Sequence, residues 1–117
     1  MRIAVLQERA AGETRVAATP ETVRKFCTLG ASVAIERGAG EAASISDAAY
    51  EDAGAALGLA GEVVRGADIV LGIQAPELAL LEGAAPGAWV ALRIAVDKLI
   101  ASGALTTDPI QAKVAAV

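Results

Sequence analysis

Three short apolar runs, Ile3-Ala4-Val5-Leu6, Ala31-Ser32-Val33-Ala34-Ile35 and Ile69-Val70-Leu71, alternate with segments that carry helix caps, and this alternation constrains the fold most. Runs with little polar interruption suit strands covered on both faces, as in parallel sheets with helical crossovers. After the first run, a polar loop carrying Gly12 leads to Thr19, an N-cap followed by Pro20 at the first helical position. Glu21 places a carboxylate at the positive end of that helix dipole. Val23, Phe26, Cys27 and Leu29 form the apolar face, and Gly30 closes the helix. The second run completes a β-α-β unit with the expected right-handed crossover.

Ser46 and Asp47 open a second short helix through Ala53, ended by Gly54, and Leu59 to Arg65 supplies another helical turn. Asp68 to Leu71 is the third strand, and Pro76 and Glu77 start a brief helical segment that ends near Gly83. From Gly87, the apolar residues Trp89, Leu92, Val96, Leu99 and Ile100 recur at helical spacing, which predicts one helix over 87–103 with Trp89 as a buried anchor. Arg93 and Asp97 lie four apart on its polar face, Gly103 ends it, Thr106 to Pro109 form a turn, and Val114 to Val117 begin a last strand. The order predicts a single α/β domain over residues 1–117, a three-layer sandwich with a mostly parallel sheet of about four strands, flavodoxin-like or Rossmann-like in outline.

Composition removes several chemistries. With no histidine and one cysteine, zinc sites, Ser-His-Asp triads and Cys-His dyads are unavailable, and no metal site is expected. Cys27 lies in a helical pattern and reads as a buried, inert thiol. A net charge of −4 with interspersed signs offers no basic patch for a phosphate backbone, and Phe26, Tyr50 and Trp89 are too scattered to stack bases, so nucleic acid is not an expected partner. No apolar stretch is long enough to span a bilayer, and Met1-Arg2 runs straight into a strand pattern without a leader, so a soluble, cytoplasmic chain is expected.

Two resemblances attach to different parts of the chain. Arg2-Ile3-Ala4-Val5, Glu8-Arg9, the stretch from Gly12 to Pro20, the Gly38-Ala39-Gly40-Glu41 turn and Ala67-Asp68-Ile69-Val70-Leu71 resemble the N-terminal domain of the NAD(P) transhydrogenase α-subunit and alanine dehydrogenase family, over residues 1–86. The resemblance implies a domain that walls a cleft opposite a separate nucleotide-binding domain. Arg15, in the Arg-Val-Ala motif, is similar to the arginine that holds the substrate carboxylate in alanine dehydrogenases, a task suited to a planar guanidinium. The pattern departs from the family in several places. Gly72 stands where a Leu-Lys-Val-Gln-Ala-Pro-like run has lysine, and Gln7 stands where many relatives have lysine. The substrate-site histidine of alanine dehydrogenases and the Arg-Ile-Ser-Arg-Ala-Gln stretch of transhydrogenases are also missing. Residues 87–117 look instead like a helix-loop-strand segment of ribonuclease PH, whereas the transhydrogenase pattern places a strand near Trp89; the helical periodicity favours the former.

These readings lead to an expected non-catalytic α/β domain, recombined or engineered from two families joined near Pro86-Gly87. The alternative is a fragment of NAD(P) transhydrogenase subunit α, which contributes to hydride transfer between NAD(H) and NADP(H) only with the missing nucleotide-binding domain and with other transhydrogenase domains as partners. A third reading is a small module with a carboxylate pocket at Arg15. No cofactor is expected, because Gly38-x-Gly40-x-x-Ala43 follows the second strand without a helix opening directly from it, and reads as a structural turn. No catalytic residue is expected, and Arg15 is the one candidate for substrate, its alternative being a loop ion pair with Glu13 or Glu8. Asp47, Glu51 and Asp52 read as solvated helix residues. If the last strand takes the sheet edge, with Lys113 the only nearby charge, a homodimer through sheet edges is expected; the rival is a monomer with Val117 paired inside the sheet beside Asp68–Leu71.

Overall fold

The computed structural model describes residues 1–74, 76–92 and 113–116. β1 (Arg2–Val5), α1 (Pro20–Thr28) and β2 (Ser32–Glu36) form the expected β-α-β unit, with β1 and β2 parallel and Val5 opposite Ile35. Thr19 caps α1, its hydroxyl accepting from the Thr22 N–H at 3.3 Å. Gly30 follows the helix at φ +93°, a left-handed conformation that costs glycine little. α2 (Asp47–Asp52) begins after Ser46, whose hydroxyl accepts from the Ala49 N–H at 3.2 Å.

β3 (Ala56–Gly58) pairs with β2 and has no counterpart among the sequence expectations; three residues with one bulky side chain give no period to read. α3 (Ala60–Val64) and β4 (Ile69–Gly72) fall where expected, and Leu78–Leu81 is a single 3₁₀ turn within the expected helical segment. β4 pairs with β1 in parallel, and beyond it lie β5 (Trp89–Leu92) and β6 (Lys113–Ala116). The described strands form one parallel sheet in the order β3-β2-β1-β4-β5-β6.

Strand alternation splits the core into two layers. Ala4, Leu6, Ala34, Val70, Val90 and Leu92 face α3 and the 3₁₀ turn, packing on Val63, Val64 and Leu81. Ile3, Val5, Val33 and Ile35 face α1 and α2, packing on Val23, Tyr50 and Ala53. Helical cover on both faces explains why the strands carry apolar residues at consecutive positions. Phe26 and Cys27 are only half-buried, and Leu29 is exposed rather than part of the apolar face.

Three expectations are corrected in the last third. Trp89–Leu92 is extended and registers with Ile69–Gly72, so the helix over 87–103 does not begin where its periodicity places it. Trp89 is 45 % exposed and is no core anchor. Trp89 and Leu92, three apart, satisfy a helical period, but Val90 and Leu92, two apart, are the pair buried against α3, and pairing with β4 decides between them. β6 pairs with β5, not with the Asp68–Leu71 strand, which removes the arrangement with Val117 inside the sheet. The expected remainder of the helix to Gly103, the Arg93–Asp97 pair and the Thr106–Pro109 turn lie outside the described residues, as does Val117 itself.

Tyr50 ties the α1–α2 layer together. It is fully buried, and its hydroxyl donates to the Ala18 carbonyl at 2.7 Å, thirty-two residues away in sequence. Burial first, and then the Asp47 carboxylate, push the phenol up to about 12, so it remains a donor at neutral pH. Tyr50→Phe should leave that buried carbonyl without its partner and lower stability by about 1–2 kcal/mol in urea unfolding; an unchanged midpoint would contradict this account of the layer.

Candidate functional site

In an open parallel sheet, ligands sit outside the carboxyl ends of strands where the winding direction reverses. Here the chain winds from β1 outward to β2 and β3, then returns to β4 on the other side of β1. The loops after β1 and β4 therefore meet at the switch point. The first runs from Leu6 to Thr19 and carries Glu8, Arg9, Glu13 and Arg15; the second begins with Ile73 and Gln74.

Glu8 joins the two loops. Its Oε2 accepts from the Ile73 N–H at 3.0 Å and its Oε1 from the Gln74 N–H at 2.9 Å. Successive backbone N–H groups of this kind form an anion-binding concavity, and this one holds the chain's own carboxylate. Glu36, at the end of β2 and 7 % exposed, accepts from the Gln7 N–H at 2.6 Å and pairs with the Arg9 guanidinium. A cleft of about 200 Å³ opens between the loops, with Gln7, Glu8, Arg9, Gln74 and Leu80 in its wall.

Arg15 stands on the same loop but is not part of that wall. Its Nε donates to Glu13 Oε2 at 2.9 Å and its Nη2 to Glu13 Oε1 at 2.8 Å, while its backbone N–H reaches Oε2 at 3.1 Å. The Glu13 side chain is only 7 % exposed against 59 % for Arg15, so the carboxylate is the fixed member and the guanidinium the accessible one. Gln74 Nε2 donates to Glu13 Oε1 at 3.0 Å. The Arg15 side chain, then Gln74, then the Arg15 backbone N–H hold the Glu13 carboxyl well below its ordinary value, and Glu13 in turn raises Arg15. The structure thus forms one of the two ion pairs considered for Arg15. Beside that pair the Arg15 side chain remains more than half exposed.

The remaining sequence features resolve as structure. Gly40 packs where a Cβ would stand 2.7 Å from Tyr50 Cε2 and 2.8 Å from the Ile45 carbonyl oxygen, so packing requires that glycine. The Gly38 N–H donates to Asp47 Oδ1 at 3.0 Å, which makes Asp47 a partner of the turn rather than a merely solvated residue; Glu51 and Asp52 are exposed as expected. Gly72 faces Leu92, and a Cβ there would lie 2.9 Å from Leu92 Cδ2 and 3.2 Å from the Gln74 carbonyl oxygen. Sequence reasoning misses Gln74 and Glu36, and takes Glu8 only as a partner for Arg15. Their signal is positional: each stands at or just beyond the carboxyl end of β1, β2 or β4. Among the described residues no group of three or more His, Cys, Asp or Glu side chains could hold a metal ion, and no helix is long and apolar enough to cross a membrane.

The sequence profile of the family described as alanine dehydrogenase/PNT, N-terminal domain matches residues 4–116. An NAD(P) transhydrogenase subunit alpha protein of Rhodospirillum rubrum is 46 % identical over 77 residues, covering 65 % of this chain and 20 % of that protein. Alanine dehydrogenase 1 of Staphylococcus aureus is 40 % identical over 76 residues, covering 65 % of this chain and 20 % of that protein. The crystal structure of the transhydrogenase from Sinorhizobium meliloti superposes with a TM-score of 0.78 at 33 % identity, over 89 % of this chain and 30 % of that one. The chain therefore spans about a fifth of the length of the two curated relatives. The profile runs through residues 86 and 87 without a break, and the strand at Trp89–Leu92 is what the transhydrogenase pattern places there. The expected join of two families, and with it the ribonuclease PH segment, finds no support.

Because the folded Glu13 carboxyl titrates below the unfolded one, the stability it adds is complete above a pH of about 4.5 and is lost as pH falls below that value. Glu13→Gln should therefore be less stable than the parent near neutral pH, by a margin that shrinks on acidification. Urea unfolding at a series of pH values measures it, and a margin independent of pH would contradict the ion pair.

Proposed function

The chain belongs to the alanine dehydrogenase/PNT N-terminal domain family, and on that premise we propose that it is part of the hydride-transferring portion of an NAD(P) transhydrogenase α-subunit-like protein. In this reading the switch-point loops form one wall of a cleft whose other wall is a nucleotide-binding domain, and Arg15 holds a carboxylate in that cleft. The chain alone turns over no nucleotide. What carries the reading is the family match through residues 4–116 together with Arg15 standing accessible at the switch point. The higher identity to the transhydrogenase relative than to the alanine dehydrogenase supports the former activity over the latter. The engineered two-family reading is set aside.

A hybrid tests this proposal. The matching N-terminal stretch of the Rhodospirillum rubrum relative is replaced by this chain's residues, and the protein is assembled with its other subunits. Hydride transfer between NADH and an NADP analogue should persist within about tenfold of the parent, and Arg15→Ala in the hybrid should lower it further by about tenfold or more, the weight of one charge-assisted contact. A folded hybrid without hydride transfer overturns the proposal.

Association is a separate proposal. Among the described residues β6 takes the sheet edge, the condition under which edge pairing between two copies is expected. We propose a homodimer through that edge; light scattering should then give a mass rising above 11.7 kDa with concentration, and a constant 11.7 kDa retires it.

A further inference from the structure

Both ends of the β1–α1 loop are fixed, and its middle is not. At the first end Glu36 accepts from the Gln7 N–H at 2.6 Å and pairs with the Arg9 guanidinium, while Glu8 between them accepts from the Ile73 and Gln74 N–H groups. At the second end Val16, Ala17 and Ala18 pack in the layer of α1 and α2, and the Ala18 carbonyl accepts from Tyr50. Residues 10–15 stand between them at the surface, and of these Glu13 alone is not exposed. Ala10 and Ala11 belong to neither apolar layer. The segment bonds chiefly to itself. The Glu13 N–H donates to the Ala10 carbonyl at 3.1 Å across a turn with Gly12 at φ +79°, and Arg15 donates to Glu13 from its backbone N–H, Nε and Nη2. Among the described residues one hydrogen bond ties this segment to the rest of the chain, from Gln74 Nε2 to Glu13 Oε1 at 3.0 Å.

A segment closed on itself and held to its surroundings at one point opens as a body when that point lets go. Gly12 supplies the left-handed residue of the turn without steric cost, so the segment keeps its shape and bending falls to the backbone on either side. We infer that residues 10–15 form a flap, which swings about Arg9 and Val16 and is caught closed by the Gln74 side-chain amide. Ala10 and Gln74 both line the cleft of about 200 Å³, so release of the catch widens its mouth, while Glu8 keeps its place in the wall through the backbone beyond β4. Glu13 and Arg15 travel with the flap as a pair. The Glu8 carboxylate also attracts Arg15 at longer range, a pull that salt weakens because the guanidinium is exposed. The flap gates the cleft whatever the cleft binds, and it stands apart from the reading of Arg15 as a carboxylate holder.

Relaxation-dispersion NMR of the backbone nitrogens of the full chain tests the flap. Gln74→Met is the variant, because it keeps the side-chain length and removes the donor. In that variant residues 10–15 should exchange with one shared rate, and their open population should rise about tenfold over the parent, the weight of one hydrogen bond to a charged group. Residues 7–9 and 16–18 should show no such exchange. The contacts to Glu8 use the backbone N–H groups of Ile73 and Gln74, so hydrogen exchange at those two amides should be the same in parent and variant. A variant whose residues 10–15 stay as rigid as residues 7–9 overturns the inference. Faster hydrogen exchange at Ile73 and Gln74 overturns it too, because the whole loop after β4 would then have loosened. So does motion whose rate differs from residue to residue or spreads into residues 7–9, since neither describes one body released from one catch.

Discussion

The parallel pairing of β1 with β2 on one side and β4 on the other makes the chain reverse its winding direction, and the crevice that follows is where the polar chemistry of the chain collects. β1 is buried on both faces, so Arg2 to Val5 can offer no functional side chain beyond its ends. Whatever the chain does with a ligand has to be done by the loops that leave the carboxyl ends of β1 and β4. The fourteen residues from Leu6 to Thr19 are long for a β-α connection, and loops of that length usually have a task.

Between its apolar ends, Leu6 and Val16 to Ala18, that long loop is held by carboxylates. Glu36 holds Gln7 and Arg9 at the loop's start, Glu8 holds the backbone beyond β4, and Glu13 holds Arg15 at the far end. Each acid has its oxygens committed to N–H donors, which keeps three negative charges close to one another at low cost. The two arginines of the loop differ as a result. Arg9 binds Glu36 and the Gln7 carbonyl, whereas Arg15 binds Glu13 on its own loop and is the more exposed of the two. The difference is one of geometry, since both side chains carry the same charge and both are paired.

Much of the fold is legible in the sequence because caps and apolar runs coincide. Thr19-Pro20, Ser46-Asp47 and Gly30 mark helix ends by chemistry local to the backbone, and the structure places α1 and α2 where those residues put them. β3 is invisible because three residues have no period. β5 reads wrongly as helix because an alanine-rich stretch fits helix and strand alike until a neighbouring strand selects one. Arg15 and its pairing with Glu13 can be read because the two lie two positions apart on one loop. Gln74 cannot, because its contact with Glu13 exists only once β4 lies beside β1. Local chemistry is written in adjacent residues; a site assembled at a switch point depends on strand order, and strand order is a property of the whole sheet.

A crystal structure of the chain grown or soaked with acetate tests the central claim most directly, because the claim is that Arg15, paired with Glu13 at the switch point, takes a carboxylate. The account predicts acetate on the Arg15 guanidinium, with Glu13 still paired to it and Gln74 Nε2 still within hydrogen-bond distance of Glu13 Oε1. Arg15 turned away from Glu13, or acetate seated on other residues, would contradict it.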